Sequence, residues 1–309
     1  MSRAYGSFTA IDDLSFFADP GEILGVLGPN GAGKTTAIRV LSTILAPTRG
    51  TFSVAGVPHT RPAEIRRRIG VLPESSGYPE RQTGEEYLRY HARLFGQTRA
   101  GASATAGSLL EAVGLADRRR ALVGSYSRGM RQRLGMARAL VNEPTVVFLD
   151  EPTLGLDPAG QRQVLVLVRR LAKERGTAVL LSTHLLSEVE EVCTRVLILN
   201  RGRVAAEGTV SDVVLRAAAP RTIKVRVAFE HVTRALEALA TVSGVLLVTP
   251  ADGPNGSITV TLPAAERSND ELANAGLRAI VNASIPVLSF ELEGARLSDA
   301  FLAITGGTR

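Results

Sequence analysis

The residues with the plainest chemical content lie at 28–36, "GPNGAGKTT". Gly28, Gly33, Lys34 and Thr35 fit the spacing G-x-x-x-x-G-K-[ST], set between an apolar run and a helix-period segment that starts at Lys34. Glycines in these places let the backbone fold into a nest of N–H groups at a helix start, a surface suited to phosphate oxygens. Gly28, Pro29, Asn30, Gly31, Ala32, Gly33, Lys34, Thr35 and Thr36 would then wrap the phosphates of a nucleotide. The Lys34 ammonium neutralises charge on the β and γ groups, and the Thr35 hydroxyl is a ligand for Mg²⁺.

A second element is "VVFLDEP", where a buried strand ends in Asp150 and Glu151. Side chains alternate along a strand, so the two carboxylates point differently: Asp150 toward the magnesium shell, Glu151 toward a water in line with the γ-phosphate. His184, in "LLSTHLL", follows another buried strand and could reach the same phosphate. An Asp-Glu strand end or a lone His is by itself more often structural; the phosphate loop upstream reverses the reading.

The third element is "SYSRGMRQRLG", 125–135. Ser127 stands where an N-cap belongs, on a helix expected to run to about Val141, ahead of Pro144, and its free N–H groups and dipole favour an anion. The plain alternative is an ordinary cap. One loop already wraps the phosphates from one side. A second anion-binding helix start therefore serves best by closing on the nucleotide held by another copy of the chain.

The elements that must position these groups are legible as short apolar runs alternating with helical segments: "EILGVLG" then a helix from Lys34, "TVVFLD" then a helix after Pro158, "AVLLST" then a helix near Leu186. The runs are continuously apolar, as in parallel strands buried on both faces. After a hairpin turn at Arg201-Gly202 the pattern changes. "TIKVRVAFE" alternates with period two, which puts Ile223, Val225, Val227 and Phe229 on one face. From there the order reads strand 222–229, helix 231–241, strand 243–249, a turn at "ADGPNG", strand 257–262, helix 268–282 and strand 285–291, a ferredoxin-like βαββαβ sequence, with a last helix at 296–304. Two domains follow, 1–215 and an accessory domain at 220–309, with the boundary in "LRAAAPRT". The accessory domain is a passive cap over the first domain, a regulator, or a contact that steadies a partner, and for the last of these Phe301 and Leu302 on the final helix are candidate contact residues.

Composition bounds the function classes. The 309 residues are 45% hydrophobic, enough for one large domain and a small one. No apolar run approaches the roughly 18 residues of a membrane helix. Acidic residues interrupt the N-terminal segment where a secretory signal needs an apolar stretch, and the single cysteine, Cys193, has no internal disulfide partner, which suggests a reducing, cytoplasmic setting. A net charge of +6 and a pI near 10.0 suit nucleic acid or an anionic membrane surface, but the arginines are dispersed.

With these motifs in order, residues 1–215 resemble the ABC (ATP-binding cassette) ATPases. "LPESSGYPE" is in the Q-loop position, "YSRGM" in that of the signature, and "GLDP" in that of the D-loop. The resemblance implies an α/β P-loop NTPase cassette with a mostly parallel sheet and a helical subdomain, binding ATP and Mg²⁺. It implies Glu151 as general base, with Lys34 and His184 acting on the γ-phosphate. Ser127 and Gly129 would cover the partner's ATP, Asp157 would contact the partner copy, and Tyr5 would stack on adenine. Thr35, Asp150 and Glu74 would ligand the metal. "YSRGMRQRL" and the small C-terminal domain look most like the ATPase subunits of bacterial multidrug and antibiotic exporters. That likeness implies a dimer on the cytoplasmic face of the membrane, bound to a separate permease. A soluble ABC ATPase working on nucleic acid or ribosomes is the other reading; such chains usually add a long coiled coil or a second cassette, so nucleic acid is not expected as a partner.

This sequence departs from the family pattern in three places. Glu74 puts a carboxylate where most members have an amide, Arg128 and Met130 replace a Gly and a Gln of the signature, and only four residues precede Tyr5. The last departure leaves out the edge strand that usually comes before the aromatic, so either the start is truncated or the adenine platform is loosely held.

Overall fold

Continuously apolar runs become central strands, and the pattern of which neighbours they bury explains the layers. The computed structural model describes residues 1–74, 77–217, 220–250, 256–264, 269–293 and 296–306. Contacts divide the chain into two units, Met1–Thr209 and Val210–Arg309.

The first unit begins with a hairpin of β1 (Arg3–Tyr5) and β2 (Phe8–Ile11), followed by β3 (Ile23–Leu27) and α1 (Lys34–Leu41). A short hairpin of β4 (Ser53–Val54) and β5 (Val57–Pro58) precedes α2 (Pro62–Arg68) and β6 (Ile69–Leu72). Three helices come next, α3 (Gly84–Leu94), α4 (Arg99–Ala112) and α5 (Arg128–Ala139). The unit closes with β7 (Val146–Asp150), α6 (Pro158–Arg175), β8 (Ala178–Ser182), α7 (Leu186–Val192), β9 (Arg195–Asn200) and β10 (Arg203–Thr209).

Six strands form one sheet in the order β10-β9-β3-β8-β7-β6. Five are parallel and β10 is antiparallel to β9, the pair joined at Arg201 and Gly202, both at positive φ. Alternate residues of each strand enter opposite layers. Val147, Leu149, Val179 and Leu181 pack toward α3, α5 and α6, whereas Leu24, Val26, Phe148 and Leu180 pack toward α1. Each fully buried side chain of this size contributes about 1.5–3 kcal/mol, so the sheet's place between two helical layers is strongly determined. That fixes the carboxyl ends of β3, β8, β7 and β6 side by side, where parallel α/β sheets bind ligands.

The second unit contains α8 (Val210–Arg216), β11 (Pro220–Val227), α9 (Val232–Ala240), β12 (Leu247–Pro250), β13 (Ser257–Ala264), α10 (Asn269–Asn282), β14 (Val287–Glu293) and α11 (Leu297–Thr305). Its four strands form an antiparallel sheet ordered β12-β13-β11-β14. Ile223, Val225 and Val227 are buried with Ala235 and Leu239 of α9 and Ile280 of α10.

Several particulars differ from the sequence reading. The unit starts at Val210, ahead of 215–221, because α8 packs on α11 and buries Val213. Phe229 is 76% exposed because β11 ends at Val227 and the chain turns helically over Phe229–His231. β12 begins only at Leu247, since Gly244 has φ +93 and interrupts an extended path. Most of the expected turn, 251–255, lies outside the described residues. Leu302 is exposed and Phe301 half-buried.

Candidate functional site

Strand β3 enters the site at Leu27, and the chain then passes through Gly28, Gly31 and Gly33 at φ +156, +79 and +104. At Gly33 an added Cβ would meet Ala10 O at 2.6 Å, so both the left-handed backbone and the space exclude a side chain. Gly33 is also the N-cap of α1, which therefore has no side-chain cap, and no acidic residue stands in the helix's first turn. The free N–H groups and positive helix end face the loop. The Lys34 ammonium donates to Gly28 O at 2.6 Å and Pro29 O at 3.3 Å. Burial lowers its pKa, while Glu151, Asp150 and Glu74 push the other way. Three carboxylates thus surround one lysine.

Asp150 is the last residue of β7 and 3% exposed. It has the parity of Phe148 and so lies on the α1 side of the sheet, beside the Thr35 and Ser182 hydroxyls. Burial raises its pKa, as does Glu74, against the lowering by Thr35, Ser182 and Lys34. The Thr35 and Ser182 hydroxyls are near enough to favour the charged carboxylate, yet Asp150 Oδ1 and Ser182 Oγ are buried without a hydrogen bond of ordinary geometry. Buried acceptors of this kind are ordinarily satisfied. Asp150, the Thr35 hydroxyl and Glu74, just after β6, make a hard oxygen set that fits Mg²⁺, an ion that takes few protein ligands and completes its shell with water and phosphate.

Glu151 departs from the alternation argument. It lies beyond β7 at φ +51, so a left-handed turn rather than the strand pleat sets its direction. Its N–H still donates to Ser182 O at 2.9 Å. Its carboxylate, 13% exposed, lies with Oε2 2.7 Å from His184 Nδ1, which directs an Nδ1–H onto the acid and leaves Nε2 of the half-exposed imidazole outward. Non-glycine residues at positive φ cost free energy and persist only where neighbours hold them.

Ser127 caps α5: its hydroxyl accepts from Met130 N at 3.2 Å. The helix ends at Ala139, two residues short of the expected Val141. Gly129 faces Leu156, and Asp157 caps α6 of its own chain, accepting from Gly160 N at 3.1 Å. Tyr5, at the end of β1, is 42% exposed, with the Arg3 guanidinium 4.9 Å above its ring. Lys34, Thr35, Asp150, Glu151, His184 and Glu74 thus come together around the phosphate loop. Cys193 lies apart from it, its thiol pushed up to about 12 by burial and by Glu188. A cavity of about 690 Å³ lined by Phe16, Phe52, Val54 and Phe148 lies at the amino ends of β7 and β8, away from this chemistry.

Gln132 escaped the sequence reading. Its amide Nε2 donates to Pro152 O at 2.8 Å and lies 3.5 Å from Glu151 O. Arg128, one turn earlier, lays its guanidinium over Gly155. The only signal in the sequence is their i, i+4 spacing on one helix face, which says nothing of the loop they touch.

A family model described as ABC transporter matches residues 11–154. The chain is 37% identical to the daunorubicin resistance ATP-binding protein DrrA3 of Streptomyces coeruleorubidus over 99% of its own length and 94% of that protein's. It is 42% identical to the Nod factor export ATP-binding protein I of Paraburkholderia xenovorans, over 69% of this chain and 70% of the other. Among solved structures, an ATP-binding subunit of an ABC transporter superposes with a TM-score of 0.63 at 34% identity, covering 69% of this chain and 88% of that one.

Proposed function

Because this chain belongs to the ABC transporter family and is one of its ATP-binding subunits, we propose how its ATPase cycle is run and what it drives. The chain hydrolyses ATP to power export through a separate membrane-spanning partner; no helix among its described residues is long and apolar enough to cross a membrane. The work is done on the cytoplasmic face, with the chain held there by the permease. The cargo is an organic molecule carried outward, by analogy with relatives named for daunorubicin resistance and Nod factor export. Selectivity among such solutes lies in the membrane partner.

The observation that carries the catalytic reading is the convergence of Lys34, Asp150, the Glu151–His184 pair and Glu74 at the carboxyl ends of neighbouring parallel strands. Tyr5 stacks on adenine, and the glycines from Gly28 to Gly33 with Lys34, Thr35 and Thr36 hold the phosphates. Thr35, Asp150 and Glu74 hold Mg²⁺, which when bound neutralises phosphate charge. Glu151 accepts the proton of the attacking water, and His184 orients that carboxylate through Nδ1 while its outward Nε2 meets the γ-phosphate. Ser127 and Gly129 of a second copy cover the same nucleotide, so the working unit is a dimer with two shared sites.

Phosphate release from ATP by the purified chain, with and without Mg²⁺, tests this reading. Magnesium-dependent turnover that disappears in Lys34→Ala is expected. Turnover undiminished by Lys34→Ala would refute it.

A further inference from the structure

Glu151 is held in an unfavourable backbone conformation, its N–H on Ser182 O and its carboxylate on His184, and the residues that follow it are held largely from one helix. After the Glu151 N–H bond to Ser182 O of the neighbouring strand β8, the backbone N–H groups of the loop up to Leu156 bond only within the loop. Its internal turns, Leu154 N to Glu151 O at 3.2 Å and Leu156 N to Thr153 O at 3.1 Å, do not tie it to the rest of the unit. Helix α5 does. Gln132 Nε2 donates to Pro152 O at 2.8 Å, with Glu151 O at 3.5 Å, so one amide faces the two successive carbonyls just after the chain leaves β7. Pro152 is buried. Four residues earlier, the Arg128 guanidinium occupies the place a side chain at Gly155 would need, its Nε and Nη1 at 2.6 and 2.7 Å from that notional Cβ. Leu156 covers Gly129 in the same helical turn.

We propose that Gln132 is a positioning residue for hydrolysis: its amide fixes the Glu151–Pro152 backbone, and through it the carboxylate paired with His184. Arg128 steadies the far end of the same loop. The inference rests on Glu151 being the base. It adds that the helix capped by Ser127 also sets the pose of its own chain's base, so a shift of α5 is felt at Glu151 over one peptide.

Removing the donor should misplace the base without touching the phosphate loop. Gln132→Leu keeps the volume and loses the N–H; Gln132→Lys keeps an N–H donor at similar reach. In Mg-ATP turnover by the full chain, Gln132→Leu is expected to lower kcat at least about tenfold, since displacements of an ångström or less at a reacting group are costly. KM and the dissociation constant of a fluorescent ATP analogue should stay within about threefold, because no phosphate-loop atom moves. Gln132→Lys should recover most of the lost kcat.

The decisive arm is the double variant. If Gln132 acts through Glu151, adding Gln132→Leu to Glu151→Gln costs nothing further, whereas an independent structural role costs the same factor again. An equal second loss, or a wild-type kcat in Gln132→Leu with an unchanged melting temperature, overturns the proposal. Full turnover in Glu151→Gln alone instead removes Glu151 as base and overturns the premise, a result separate from the behaviour of Gln132. A Gln132→Leu chain that fails to fold is answered by Gln132→Lys, whose kcat must then exceed that of Gln132→Ala.

Discussion

Replacing Glu151 by Gln changes almost nothing in shape and one thing in chemistry. The side chain is 13% exposed and lies 2.7 Å from His184 Nδ1. The Gln amide oxygen can still accept from Nδ1–H, so the His184 contact and the turn at φ +51 should survive. What is lost is a group able to take a proton. General bases contribute about 10²–10⁴ in rate, so turnover should fall at least about 100-fold, which is about 2.7 kcal/mol of transition-state stabilisation. Binding should move the other way. Of the three carboxylates acting on Lys34, Glu151 acts most strongly, and deleting its charge removes repulsion beside an incoming triphosphate, so ATP should bind as well as before or more tightly. Stopped-flow phosphate release gives the rate. Binding of a fluorescent ATP analogue gives the affinity, and size exclusion after incubation with Mg-ATP should show accumulated dimer. Turnover within about threefold of wild type, measured with the membrane partner present, would refute the assignment.

Three further outcomes follow from the same geometry. Asp150→Asn should raise the melting temperature of the nucleotide-free chain at pH 7 by about 2–4 °C while abolishing Mg-dependent turnover, because a carboxylate whose native pKa is raised by burial is a net cost when ionised. The sign fixes the pH window: that cost is absent below the ordinary Asp range and sets in as pH rises through the raised native value, so the gain in melting temperature should vanish in acid. Gly33→Ala should impair ATP binding severely and destabilise by about 2 kcal/mol or more, since φ +104 and the 2.6 Å approach to Ala10 O both oppose a side chain; unchanged binding of the ATP analogue and an unchanged urea midpoint would contradict this. A chain ended at Thr209 keeps every residue proposed to handle phosphate and the whole first unit, and should bind ATP normally; loss of binding in a truncated chain with a native circular dichroism spectrum would assign the second unit a direct part in the site.

What the sequence could reveal was set by how local each cause is. The phosphate loop depends on nine consecutive residues and a strand-to-helix context, so its place between β3 and α1 was legible. The parallel strands were legible because burial on both faces leaves unbroken apolar runs such as 146–149. The Ala-rich α4 offers little hydrophobic period, although Ala102 and Ala106 are fully buried in the core. Glu151 was legible as an acid at the end of a strand, yet its direction comes from a positive φ that no residue type announces. Asp157, read from the resemblance as a contact to the partner, caps α6 in its own chain, a role that the Asp-Pro pair at a helix start also signals. Gln132 was invisible because its partner carbonyl lies 20 residues away. In the second unit the break at Gly244 shortened β12, and α8 joined the fold through α11 across some eighty residues, beyond the reach of local patterns.

The central claim is that each nucleotide is enclosed by Lys34 of one copy and Ser127 of another. A mixed dimer tests it: Lys34→Ala on one chain with Ser127→Arg on its partner puts both lesions at one shared site and leaves the other intact, whereas both substitutions on a single chain damage both sites. Each lesion alone must first be shown to impair hydrolysis. Single-turnover phosphate release is then predicted to keep the output of one working site in the first arrangement and to fall to background in the second. Equal residual activity in the two arrangements would contradict a shared site.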